Sequence, residues 1–303
     1  MNIFQKAINR LDQFQRKHKP TAFIVAVVKK YSDDQAGYQA ALITYYGFLS
    51  LFPLLLILTT VAGIAGNNNP EFGAKLVESV SSYFPVIGQS LDESVKGLTR
   101  TGPALVIGFL FVIYGTRGIA DAFRNAVNHV WHIPTAKRSG FPRSWIRSFA
   151  LIVFGGAGFI VASVIAGWTA HAGHDWTYRA LSVGINMAIL YLVFLIILRL
   201  SLPLSIPVSK FRTGAAISAV GLTTLQLIGG FILTHEARTL SSTYTAVFAT
   251  TLGLLAWIYL QAQVVMYAVV TDTVRDKKLW PRGLTGDNPT KADGRIEERR
   301  SLV

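Results

Sequence analysis

The sequence predicts an all-α polytopic membrane protein with six transmembrane helices and amphipathic interfacial helices, and three observations carry this prediction. Of the 303 residues, 51% are hydrophobic and the mean hydropathy is positive, as in membrane proteins. Residues Ala40–Gly66 contain no charged side chain and exceed the ~20 residues that cross a bilayer core of ~30 Å. The basic residues are also divided unequally between alternate loops, as the positive-inside rule requires.

The first predicted span, Ala40–Gly66, contains Pro53, which removes a backbone donor and predicts a kink near Ser50–Pro53. A kinked helix in lipid needs neighbouring helices to satisfy the freed carbonyl, so we expect this span to pack inside a bundle. Five further apolar segments supply that bundle: Pro103–Ala120, Ser148–Ala170, Leu181–Leu198, Gly214–Leu233 and Tyr244–Val270.

Three regions follow from this assignment. Residues 1–38 form cytoplasmic, basic amphipathic helices, the first of which we expect Pro20 to end. These helices either lie at the membrane interface or pack on the end of the bundle, and both interpretations stay open. Residues 39–272 form the six-span membrane domain, and residues 273–303 form a cytoplasmic tail that we expect to be largely disordered.

The charge distribution predicts the orientation. All but five of the 29 lysines and arginines fall on one side when both termini and the 2–3 and 4–5 loops share that side; the five exceptions are Lys75, Lys96, Arg100, Arg179 and Arg238. Both termini are therefore predicted to be cytoplasmic. The net charge of +13 is then explained by membrane topology, without a nucleic-acid partner.

Several function classes are disfavoured by what the sequence lacks. The absence of cysteine excludes disulfides, thiolate metal sites and cysteine nucleophiles. No GxxxxGK[ST] loop is present, so the chain has no such ATPase site of its own. A metal-dependent nuclease needs convergent carboxylates or histidines, and Asp33, Asp34 and Asp121 lack metal-ligand spacing. We therefore expect neither an enzyme nor a cofactor.

Three sequence motifs resemble those of one known family: TYYGFLSLFPLLL at Thr44–Leu56, NHVW at Asn128–Trp131 and LLAWIYLQAQ at Leu254–Gln263. Over roughly residues 30–272 the chain resembles the YihY/BrkB family of bacterial inner-membrane proteins, once labelled ribonuclease BN. The resemblance implies six spans, an inner-membrane location and a role in moving lipids or other envelope components. The residues that match the motifs are Tyr45, Tyr46, Ser50, Pro53, Asn128, Trp131, Trp257 and Tyr259.

One departure from the family pattern concerns the end of the last span. Family members often carry a Gly-Ala-Glu run there, whereas this chain has Ala268, Val269 and Val270. If that glutamate binds a proton or substrate in relatives, this chain does without it or uses Asp272 instead. Acid-coupled transport is therefore in doubt for this chain.

The polar residues inside the predicted spans are neutral: Thr44, Tyr45, Tyr46, Ser50, Asn186, Gln226, Gln261 and Gln263. They either join helices by hydrogen bonds or line a groove for an amphiphile. In the second interpretation, Arg117, Arg124 and Arg199 lie at the cytoplasmic mouth and bind an anionic headgroup, because a guanidinium bonds two phosphate oxygens at once. The alternative for these arginines is positive-inside anchoring. The predicted substrate-binding residues are Tyr45, Tyr46, Ser50, Arg117, Arg124 and Gln261.

Histidines at the predicted outer face are candidates for a metal or proton site. His171 and His174 lie near the end of the third span, and His235 lies at the end of the fifth. The alternative is that they are ordinary interface residues, and we expect no metal.

The function that these features favour is transport or flipping of a lipid or amphipathic envelope component. The alternative is a membrane scaffold or regulator of an envelope complex. The expected partners are membrane lipids, with a homo-oligomer or an envelope complex as further candidates.

Overall fold

The computed structural model describes residues 12–50, 117–138, 140–171, 176–236, 243–284 and 289–300, and all regular secondary structure in these residues is helical. Nine α-helical segments lie in them, together with 3-10 turns at Thr135–Lys137 and Val208–Lys210; the first segment is short, residues 12–17, and the other eight are labelled α1 to α8. The eight are α1 (Lys19–Asp33), α2 (36–50), α3 (117–130), α4 (Arg143–His171), α5 (Trp176–Ser201), α6 (Arg212–Glu236), α7 (Thr243–Asp276) and α8 (Lys291–Arg300).

The last four predicted spans coincide with the long helices α4, α5, α6 and α7. Each of them extends beyond the apolar segment that predicted it, because charged residues continue the helix past the apolar region. In the described residues, Ala180–Ser201 and Thr251–Asp276 are long and apolar enough to cross a membrane. Most of the first two predicted spans, including Pro53, lies outside the described residues, so the six-span count stays a prediction.

The helices pack in sequence order: α4 on α5, α5 on α6 and α6 on α7, while α1 packs on α7. Buried side chains recur every four residues along α5, at Leu190, Phe194 and Leu198, and Leu202 follows directly after the helix. This spacing places them on one helix face. Large apolar side chains on the opposite faces stay exposed, among them Leu192, Ile196, Leu227 and Leu260. Such exposure is typical of a lipid-facing surface.

Glycines let neighbouring helices approach closely. A Cβ added at Gly158 of α4 would lie 2.2 Å from a methyl group of Val193 on α5, and one at Gly221 of α6 would lie 2.4 Å from Val264 on α7. Because real Cβ atoms are not found this close to other atoms, these contacts need residues without a side chain. Small residues serve the same purpose at helix interfaces in membranes.

The prediction for Pro20 is corrected by the structure. The first short helix, of which residues 12–17 are described, ends at Lys17. Pro20 lies in the first turn of α1, whose N-cap is His18. The first turn of a helix leaves its backbone N–H groups without partners in the helix. Proline suits this position because it has no N–H to leave unpaired. The buried face of α1 includes Ala22, Ala26 and Val27 and contacts the bundle, as the packing alternative predicted.

The described part of the C-terminal tail also differs from the predicted disorder. Arg282 donates to Asp33 Oδ2 at 2.6 Å and to Asp293 Oδ1 at 2.9 Å, so it joins α1 to α8. Asp12 accepts from the backbone amide of Leu284 at 3.0 Å. Burial alone would raise the pKa of Asp293, but the amides of Thr290 and Gly283 and the Arg282 guanidinium hold it below its usual range. These charged contacts fix the tail on the N-terminal helices, which the sequence did not indicate.

Candidate functional site

A buried hydrogen-bonded cluster joins α3 to α4 around Arg124, whose side chain is almost fully buried. Its Nη1 donates to the Ser144 carbonyl at 2.9 Å and to Ser148 Oγ at 2.9 Å. Ser148 Oγ in turn donates to Asp121 Oδ1 at 2.6 Å, and that oxygen lies 3.6 Å from Arg124 Nη1. Burial, followed by the positive charge of Arg147, lowers the pKa of Arg124, and Asp121 opposes this effect. One edge of the Arg124 guanidinium therefore makes hydrogen bonds within the protein and is not available to a ligand.

Arg117 lies at the edge of the same cluster and is more accessible. Its Nε donates to Asp121 Oδ2 at 3.1 Å, and its guanidinium carbon lies 4.0 Å above the Trp145 ring. About a third of the Arg117 side chain stays exposed. Of Arg117 and Arg124, two of the three arginines predicted to bind a headgroup, Arg117 retains the geometry for it and Arg124 has mainly structural contacts.

Asn128 and Trp131 connect α3 to the rest of the bundle. The Asn128 amide donates to the carbonyl of Arg124 at 2.6 Å and to that of Ser201, the last residue of α5, at 3.1 Å. Trp131 is only 3% exposed and packs in the core. Lys277 at the end of α7 donates to the Trp131 carbonyl at 2.6 Å.

A second buried ionic cluster consists of Lys30, Asp34 and His132. Lys30 forms an ion pair with Asp34 Oδ2, and His132 Nε2 lies 3.3 Å from Asp34 Oδ1. Burial raises the pKa of Asp34, but His132 and Lys30 outweigh it, so the net pKa is lowered. The hydrogen bond with Asp34 raises the pKa of His132, but burial and the positive charges of Lys30 and Lys277 outweigh it, so the net pKa is lowered.

The backbone of His132 explains how this side chain reaches Asp34. It adopts a φ of 49°, the left-handed conformation that commonly ends helices. The amide of Ile133 donates to the Asn128 carbonyl at 2.9 Å and closes the end of α3. The turn after the NHVW motif thus places an imidazole between α1 and α7.

Asp272 lies on α7 and is 1% exposed. Its Oδ1 accepts from the backbone amide of Gly214, in the first turn of α6, at 2.7 Å. This contact satisfies one of the amides that a helix start leaves unpaired, and a negative charge there is favoured by the helix dipole. Asp272 Oδ2 is buried without a hydrogen-bond partner in the described structure. The sequence-based idea that Asp272 replaces the glutamate of relatives stays a prediction.

Neutral polar side chains are buried on α5 and α6 within the apolar segments. Asn186 Nδ2 donates to Gln226 Oε1 at 3.0 Å, which joins the two helices. Three further polar atoms in the described bundle are buried without a hydrogen-bond partner: Asn186 Oδ1, Ser218 Oγ and Thr223 Oγ1. These helices therefore carry more polar groups than their own packing satisfies.

The two tyrosines of the first motif, Tyr45 and Tyr46, differ in their surroundings. Tyr45 is 59% exposed, whereas Tyr46 packs against the core beside Gly118 of α3. Ser50 is buried, and its hydroxyl donates to the Gly47 carbonyl of its own helix at 2.8 Å. These three predicted binding residues therefore differ in exposure, and their role in substrate binding stays a prediction.

The predicted residues on α7 differ in burial. Gln261 and Trp257 are partly buried, and Tyr259 packs against the core near Gly37 of α2. A ligand contact for Gln261 stays a prediction.

The structure does not describe the side chains of the three histidines considered as metal ligands. His174 lies outside the described residues, and of His171 and His235 the structure describes the helix positions but not the side chains. Within the described ranges, no group of three or more metal-ligating side chains occurs.

Comparison with known proteins identifies the family. A family model described as virulence factor BrkB matches residues 27–291. The chain belongs to the virulence factor BrkB family. The predicted resemblance is thereby confirmed, and the chain is a membrane protein.

Two relatives align with this BrkB family chain over most of their length. The inner membrane protein YhjD of Escherichia coli (strain K12) is 21% identical over 290 residues, which is 86% of this chain and 83% of the relative. A Dickeya dadantii (strain 3937) protein described as uncharacterized is 24% identical over 285 residues, 85% of this chain and 84% of the relative. No solved structure matches the chain.

The Lys30–Asp34–His132 cluster in this BrkB family chain was not predicted. The four-residue spacing of Lys30 and Asp34 was a signal for an ion pair on one helix face. The contact with His132 joins residues almost one hundred positions apart, and no local pattern predicts it. The serine bridge between Asp121 and Arg124 was missed for the same reason, because Ser148 belongs to another helix.

Proposed function

We propose that this BrkB family protein moves a lipid or another amphipathic envelope component across the bacterial cytoplasmic membrane. The proposal includes six spans with both termini in the cytoplasm, as the distribution of lysine and arginine predicts. The Escherichia coli relative is named an inner membrane protein, which supports the same location here. No catalysed reaction, cofactor or nucleic-acid partner is part of the proposal.

The observation that carries the proposal is the set of incompletely satisfied neutral polar groups on α5 and α6. Asn186, Ser218 and Thr223 each have at least one buried atom without a hydrogen-bond partner in the described bundle. A buried hydroxyl or amide without a partner is costly, and lipid tails offer none. Water or a polar headgroup that enters between the helices would satisfy these atoms, so their retention supports a polar route.

The absence of charged side chains along this polar route bears on how transport is coupled to an energy source. Residues 180–198 of α5 and 214–233 of α6 contain no lysine, arginine, aspartate or glutamate. Proton- and ion-coupled transporters commonly place an ionisable side chain at this depth. We therefore propose that these segments guide a headgroup along its gradient, and that any energy coupling comes from another part of the system.

Lipid translocation in proteoliposomes tests this proposal. Vesicles contain lipids with a fluorescent headgroup, and a membrane-impermeant quencher reports the label in the outer leaflet. Without protein about half of the label is protected, and with the wild-type chain we expect substantially less protection. The substitution Thr223→Val removes the buried hydroxyl at nearly constant volume, and we expect it to restore protection.

Thr224→Val is the matched control. Thr224 is exposed, and its hydroxyl donates to the Val220 carbonyl of its own helix at 2.9 Å. We expect this variant to behave as wild type. Equal effects of the two substitutions would contradict the polar route. A wild-type chain that leaves every tested lipid protected would overturn transport itself and favour a scaffold or regulator of an envelope complex.

A further inference from the structure

Three arginines meet at the end of the bundle where α4 begins and α5 ends. Arg143 and Arg147 lie four residues apart on α4 and share a helix face. Arg147 Nη1 lies 3.4 Å from the Leu202 carbonyl, and Arg199 Nη1 donates to the Ile206 carbonyl at 2.8 Å. Because both carbonyls belong to the connection between α5 and α6, the guanidiniums converge on one short stretch of chain. We call these three residues the arginine cluster.

The arginine cluster has an excess of positive charge. Arg143, four residues earlier on α4, and Arg199 add positive charge around Arg147, and burial followed by these charges lowers the pKa of Arg147. Within the described ranges, no carboxylate lies at ion-pair distance from Arg143 or Arg199. The N-terminus of α4 adds its own partial positive charge, and its first turn contains no acidic residue.

Apolar side chains beside the arginine cluster are exposed. Ile146, which lies three residues after Arg143 and shares its face of α4, is 66% exposed. Leu204 in the connection after α5 is 70% exposed. A positive site bordered by exposed apolar groups matches a ligand that is anionic at one end and apolar at the other.

We propose that Arg143, Arg147 and Arg199 bind the phosphate headgroup of an anionic phospholipid, whose acyl chains lie against Ile146 and Leu204. Guanidinium groups suit this headgroup because each can bond two phosphate oxygens. The predicted orientation places the site in the cytoplasmic leaflet, where basic residues attract anionic lipids. Lipid binding at this site does not require transport, so it stands or falls independently of the proposed function.

Native mass spectrometry of the purified full-length chain in detergent tests this inference. The probes are phosphatidylglycerol, which is anionic, and phosphatidylethanolamine, which is zwitterionic. We expect tighter binding of phosphatidylglycerol to the wild-type chain. Removing each arginine should weaken that binding about fivefold, so Arg143→Gln with Arg199→Gln should weaken it about 25-fold.

The matched control is Lys291→Gln with Arg295→Gln. Both residues are exposed on α8, and the pair removes the same charge far along the chain from the arginine cluster. We expect wild-type affinity for phosphatidylglycerol in this control. Equal loss in both double variants, or no preference for phosphatidylglycerol in the wild-type chain, would overturn the inference.

Two further measurements separate the remaining outcomes. Arg143→Gln alone changes an exposed side chain and leaves the Arg199 contact intact, so it should fold even where the double variant does not. Unchanged affinity in this variant would overturn a role for Arg143 in the site. Inorganic phosphate at millimolar concentration should not displace phosphatidylglycerol, and full displacement would assign the cluster to free phosphate instead of lipid.

Discussion

The charged end of the bundle and the apolar segments of α5 and α6 satisfy their polar groups in different ways. At the charged end, Arg124 contacts Ser144 and Ser148 of α4, and Asp34 contacts Lys30 of α1 and His132 after α3, although Arg124 Nε is also buried without a hydrogen-bond partner within the described ranges. In the apolar segments, Ser218 and Thr223 carry buried hydroxyls without a partner in the described structure.

This difference indicates where stability and function are concentrated. Buried ions that are paired hold helix ends in one arrangement, and removal of one partner leaves an uncompensated charge. Polar groups that packing does not satisfy reduce stability, and the proposed polar route would account for their presence. The predictions below test this contrast in order of expected size.

Arg124→Met should produce the largest loss of stability. It removes the bonds to Ser144 and Ser148 and leaves Asp121 with fewer partners, so we expect the free energy of unfolding to fall by about 3–5 kcal/mol. Denaturant unfolding in mixed micelles measures it. Arg117→Met is the control, because Arg117 is partly exposed and its ion pair with Asp121 should contribute at most about 1 kcal/mol. Similar losses in both variants would argue against the central role of Arg124.

Gly214→Ala should destabilise the contact between α6 and α7. The new Cβ would lie 2.1 Å from Asp272 Oδ2 and 2.9 Å from the Ala268 carbonyl, so one helix has to shift. Overpacking of this kind costs about 1–3 kcal/mol. At Gly184 of α5 an added Cβ meets no atom within 4 Å, so Gly184→Ala should be neutral or slightly stabilising. Thermal unfolding of the two variants in one detergent compares them directly, and equal melting temperatures would count against this packing.

His132 should give a smaller, pH-dependent effect. Its pKa in the folded chain is below 6.5, so the unfolded chain binds more protons as the pH falls through this region, and acidification from pH 7 to 5 destabilises the fold. The slope for one such group is at most about 1.4 kcal/mol per pH unit. His132→Gln should flatten the dependence of the melting temperature on pH in this range. An unchanged slope would show that other groups determine it.

The helices themselves were largely predictable. The segments Ser148–Ala170, Leu181–Leu198, Gly214–Leu233 and Tyr244–Val270 were found from hydropathy alone, because a span needs a long apolar run whatever its neighbours are. The motifs NHVW and LLAWIYLQAQ were sufficient to predict the family. The ends of the helices were less predictable, since charged residues continue α7 to Asp276.

The candidate site was predicted only in part. Arg117 and Arg124 were found because charged residues are rare inside apolar segments, so the first ones after a segment are visible in the sequence. Their different roles depend on Trp145 and Ser148, which α4 supplies from a separate stretch of the chain. Tyr45 and Tyr46 are adjacent in sequence and yet have different surroundings, because successive residues on a helix point about 100° apart.

The sequence by itself determined that this chain is helical, which segments are apolar enough for a membrane and on which side the basic residues collect. These properties depend on composition and local order along the chain. The tertiary structure decided which charges meet: Asp34 with His132, Arg282 with Asp33 and Asp293, and Arg147 with Arg199. Such contacts depend on the packing of distant helices, and a pattern read along one chain does not contain that information.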